Sequence, residues 1–101
     1  MNEMEIIENC LKQHKGKNNC VTANEISKKL KIIEDNTHAG TRAKIRKCIE
    51  ERGLPVASNS NGYYWIVEES ELDTYIKSLD GRIKGIEERK EIVKNNFGQN
   101  R

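Results

Sequence analysis

The sequence predicts a mostly helical α+β fold: three helices and a β-hairpin, followed by one long C-terminal helix. Three observations predict it. Apolar residues recur at helical spacing in three stretches before Gly53, a polar Ser58 to Gly62 turn separates two β-prone runs, and apolar residues from Leu72 to Phe97 follow steps of four and three. The 101 residues allow one compact core, and because 35% are hydrophobic against 34% charged, that core must come from periodic faces. The expected organisation is a helix-and-hairpin domain at 1–68, a C-terminal helix at 69–97 and a tail at 98–101.

The first helix places Met4, Ile7, Cys10, Leu11 and His14 on one face, widened by Ile6, and ends near Gly16. A polar turn, Lys15 to Asn19, leads to Cys20-Val21, a short strand. Thr22 and Glu25 have capping-box spacing, in which a hydroxyl satisfies a free amide at the helix start and a carboxylate reaches back. The second helix follows, with Ile26 and Leu30 inward and Lys28, Lys29 and Lys31 outward.

Lys31 to Asn36 reads as a connector, after which Asn36 or Thr37 caps the third helix. Ile45, Cys48 and Ile49 form its inner face, Ala43, Lys44 and Lys47 lie roughly opposite, and Gly53 with Pro55 stops it. Asn61-Gly62 is a short-range hairpin signal, since both residue types accept positive φ. The strands are then Val56 to Ser58 and Tyr63 to Val67. Alternation leaves either Tyr64/Ile66 or Tyr63/Trp65 as the buried pair.

The last stretch is a heptad pattern: Leu72, Ile76, Leu79, Ile83, Ile86, Val93 and Phe97 lie on one seam, interrupted by Lys90. Isoleucine at one core position and leucine at the other favour a parallel two-stranded coiled coil and so a homodimer, the alternative being a helix that folds back onto the first helix of the same chain. Arg82 and Glu87 have the spacing of an interchain salt bridge. Gly81 and Gly85 weaken the helix, and allow a bend or close approach of a partner.

The net charge of +2 is small, but its distribution is uneven. Lys12 to Lys31 holds six lysines against Glu25, and Thr41 to Gly53 holds five bases against Glu50 and Glu51. Basic helix plus hairpin suggests duplex DNA as partner, because a helix fits the major groove while flanking amides and lysines hold phosphates. Thr41, Arg42, Lys44 and Lys47 are the expected reading surface, with Arg42 the candidate for bidentate contact to guanine. Ser60 and Asn61 in the turn are further candidates, though a plain surface turn would look the same. Lys28 and Lys29 would attract phosphate regardless of base sequence.

Other chemistry is thin. Three cysteines, Cys10, Cys20 and Cys48, without a Cys-x-x-Cys pair argue against a disulfide framework and for the cytoplasm. Cys10 and His14 with Cys20 or Cys48 lack a dense zinc motif, so no metal or cofactor is expected. No catalytic constellation or phosphate-binding glycine loop is seen, and no apolar run approaches the ~20 residues that span a bilayer.

Helix, short strand, helix, basic helix and hairpin is the element order of a winged helix-turn-helix. The chain resembles the small winged-helix proteins of phages and prophages, on Arg46 to Gly53 with Pro55, the wing Ser58 to Gly62, Tyr63-Tyr64 and the charged segment Glu69 to Asn96. The resemblance implies DNA binding, often in transcriptional or replication control of mobile elements. The connector before Thr37 and a wing without Lys or Arg depart from that pattern. They motivate an alternative: a winged-helix interaction module with a host or phage protein partner, including an inhibitor of a host machine such as a CRISPR effector.

Overall fold

The computed structural model describes residues 2–33 and 37–99. Its elements in order are α1 (Glu3–Lys12), α2 (Ala23–Leu30), α3 (Ala39–Arg52), β1 (Val56–Asn59), β2 (Gly62–Trp65) and α4 (Glu69–Gln99).

Local chemistry sets most boundaries. The Asn2 side chain accepts from the Glu5 amide at 2.9 Å and starts α1. At α2 the box is complete: the Glu25 amide donates to Thr22 Oγ1 at 3.1 Å and the Thr22 amide to Glu25 Oε1 at 3.1 Å. The cap of α3 differs from expectation. It falls on His38, in the left-handed region at φ 53°, with no side-chain capping bond, so Thr37 is not the cap. Asn36, the other expected cap, lies outside the described residues. Gly53, at φ 64°, ends α3 as expected, its amide donating to the Ile49 carbonyl.

The three short helices pack around Ile7, Cys10, Leu11, Val21, Ala23, Ile26, Ile45, Cys48 and Val56. His14, expected on this face, is half-exposed, and its ring nitrogen Nδ1 lies 3.0 Å from the Asn19 carbonyl. Cys10 and Cys48 are ordinary core residues, and burial pushes both thiols above their usual pKa. Cys20 lies apart, donating to the Lys17 carbonyl at 3.1 Å. Among the described residues no three potential ligands converge on one point.

The hairpin pairs β1 with β2 antiparallel, Asn59 opposite Gly62, so its loop is Ser60 and Asn61 rather than Asn61 and Gly62. Positive φ falls on Gly62, at 129°, and on neither loop residue. The expected strand at Cys20-Val21 reduces to a single bridge. Val21 and Tyr63 exchange amide-to-carbonyl bonds at 2.8 Å in both directions, while the Gly16 amide donates to Trp65 and the Trp65 amide to His14. These four bonds cover the free edge of β2 and tie the hairpin to the helices. Tyr64 is the buried aromatic, opposite buried Ala57; Tyr63, Trp65 and Ile66 are half-buried, with Tyr63 and Trp65 packed against the core. Both faces of the hairpin are therefore in use.

The helix α4 starts on Glu71. Its carboxylate accepts from the amides of Lys17 at 2.7 Å, Val67 at 2.9 Å and Glu68 at 3.2 Å, which joins the helix to the α1–α2 turn and to the chain leaving β2. Those bonds hold its carboxyl below the usual carboxylate range. The first turns then run beside β1, where Tyr75 and Leu79 are half-buried. From Asp80 to Gln99 every residue is exposed. The helix has 31 residues, about 46 Å at the usual rise, and includes Gly98 and Gln99, expected as tail. It is continuous through Gly81 and Gly85, where an added Cβ would meet open space. Both lie off the apolar seam. Leu72, Ile76, Ile83, Ile86, Val93 and Phe97 are 42–69% exposed and form an apolar stripe along the helix. No described helix is long and apolar enough to cross a membrane.

Candidate nucleic-acid interface

The expected reading surface is divided by the fold. Thr41 is wholly buried and leaves the list: it stands one turn before Ile45 on the same face of α3 and joins that face in the interior. Lys44 is exposed on the flank toward α1, where its Nζ lies 2.9 Å from both carboxylate oxygens of Glu3. Such exposed pairs are worth little and can yield to a stronger anion. Lys47 faces solvent, loosely paired with Glu51 at 3.9 Å. Lys28 and Lys29 are exposed in the last turn of α2.

Arg42 stands on the opposite flank from Lys44, toward the hairpin. One of its donors, Nε, holds the Thr37 carbonyl at 3.0 Å. Between α3, the hairpin and α4 are two depressions of about 430 and 330 Å³ that share Arg42, Ser58, Tyr63 and Arg82. They run together as one trough. Ser60 and Asn61 line one end with Thr22; Arg46, Glu50 and Tyr75 line the other. The loop is pre-shaped, because the Asn59 side chain accepts from the Asn61 amide at 2.7 Å.

The structure thus brings Arg42, Ser60 and Asn61 together, and separates them from Lys44. It adds two residues that the sequence reading missed as ligands. Arg46 is one turn beyond Arg42 on the same helix, and that spacing was a usable signal. Arg82 had none: it was assigned to an interchain pair, and only the path of α4 carries it to the hairpin. Neither Arg46 nor Arg82 has an ion-pair partner among the described residues. Among the described residues, Glu50 is the single acid on the trough wall. An arrangement of three guanidiniums with hydroxyl, amide and phenol groups suits a polyanion held through its phosphates, not acid–base chemistry. Comparison with protein families, curated proteins and solved structures gives no match for this chain.

Proposed function

We propose that the protein is a non-enzymatic duplex DNA-binding protein of winged-helix type, a phage or prophage regulator that works as a homodimer paired through α4. The carrying observation is the exposed basic side of α3 standing next to the hairpin, with Arg42 and Arg46 turned toward it and Lys47 outward. In this reading α3 enters the major groove, the hairpin lies against the adjacent backbone, and Lys28 and Lys29 add sequence-independent attraction. The stripe on α4 presents a second copy, so that two α3 helices address a two-fold related site.

The test is an electrophoretic shift at low salt with random and phage-promoter duplexes. The wild type should retard both, and the double substitution Arg42→Glu and Arg46→Glu should abolish retardation while leaving the thermal melt in place. Absence of any shift by the wild type refutes the reading. A second reading, an interaction module for an acidic protein, is favoured by the absence of any base in the loop. It predicts that the same double variant loses a protein partner in pull-down while the wild type never shifts DNA.

A further inference from the structure

The hairpin carries no lysine or arginine between Val56 and Trp65, yet its outer side is not without cations. Arg82 lies on α4, far along the chain, and lines both depressions beside Ser58 and Tyr63. We propose that Arg82 completes a three-arginine clamp for a phosphodiester backbone running along the trough, so that α4 supplies the basic group that the hairpin lacks. This rests on the DNA-binding reading and specifies how the backbone is held.

Three features of the trough support a strand over a compact ligand. The two depressions adjoin, sharing four lining residues, and together offer an elongated seat. The arginines approach it from two elements on opposite sides, Arg42 and Arg46 from α3 and Arg82 from α4. Arg42 and Arg46 are one helical turn apart, about 6 Å, comparable with the spacing of successive phosphates on one strand. Guanidinium matches phosphate through paired N–H donors, and Ser58, Ser60 and Asn61 add neutral donors along the same wall.

The position of Arg82 on α4 sharpens the test. It flanks the apolar seam next to Ile83, where the sequence pattern would instead pair it with Glu87 of a second copy. The two roles predict different outcomes. Duplex affinity should be measured by fluorescence anisotropy across a salt series for wild type, Arg82→Ala, Arg82→Lys and Glu87→Gln, with mass by light scattering on each. The clamp predicts that Arg82→Ala weakens binding about tenfold at low salt and lowers the salt slope by about 0.9 per chain, equally for all duplex sequences. Arg82→Lys should recover the slope but only part of the affinity. Glu87→Gln should bind as wild type, and no variant should change mass. The clamp is overturned if wild type binds DNA and Arg82→Ala binds equally well, or if its loss of affinity follows a loss of mass shared by Glu87→Gln. If the wild type binds no duplex, the DNA reading itself fails and the clamp with it.

Discussion

Gly62 is the residue on which the hairpin depends most. A Cβ built there would lie 2.4 Å from the Val21 carbonyl oxygen, against backbone, and φ of 129° is one that L side chains rarely adopt. Gly62→Ala should therefore cost at least the ~1–3 kcal/mol of a strained backbone conformation, read as a lower urea midpoint. A midpoint equal to wild type would show that the edge bonds to Val21 are not made. Glu71 gives a pH dependence. Its folded pKa is depressed below 4.5, so its contribution is complete above about that pH and is lost as pH falls further and the folded carboxyl protonates. Thermal melts should show a loss of Tm below pH 4.5 that is smaller in Glu71→Gln, which lacks the titrating group and starts from a lower Tm. Equal acid sensitivity in both chains would contradict the role of the Glu71 carboxylate in holding the start of α4. These two residues also mark the limit of reading a sequence. Thr22 and Glu25 were legible because both partners lie within one helical turn. Glu71 was not, since its shortest bond reaches Lys17, 54 residues away. Gly62 was recognised as a turn residue, but its positive φ serves the approach of Val21, a tertiary demand that shifted the loop back by one residue. Thr41 was misassigned although the signal existed, four residues before Ile45.

Among the elements, α4 separates what periodicity reveals from what it leaves open. The steps of four and three predicted both the helix and its apolar stripe, because each is a property of one continuous segment. They did not show that the same helix turns a second side, Tyr75, Ser78 and Arg82, toward the hairpin. Contacts between elements far apart in sequence carry no periodic trace. The stripe makes the pairing testable without disturbing the body: Ile83 is 53% exposed in the single chain and belongs to no part of its core. Ile83→Asp should leave the melt of the helical body intact, yet reduce the mass in light scattering from two chains to one, since a buried unpaired carboxylate is strongly unfavourable at a seam. A wild-type mass of one chain at high concentration would contradict pairing.

At the scale of the molecule the protein is elongated, 57 × 34 × 23 Å, because half a helix leaves the body without support from it. A body built from α1, α2, α3 and the hairpin turns basic side chains to the trough, and in the proposed dimer the protruding helix would double it. The order of the helices and the hairpin was legible, as was the basic character of α3, while the strand expected at Cys20-Val21 is a single bridge. The composition of the binding surface was not, because it depends on which flank of α3 faces the hairpin and on where α4 passes. If the proposed dimer engages DNA through three arginines per copy, on the order of six phosphates would be held, and log affinity should fall with log salt at a slope of about −5. The most direct measurement is therefore the affinity of the 101-residue chain for a labelled duplex between about 50 and about 200 mM salt. Binding should weaken by about a thousandfold across that range; a duplex left unbound at the lowest salt, or bound with an affinity that salt does not change, would contradict DNA recognition by the arginine trough.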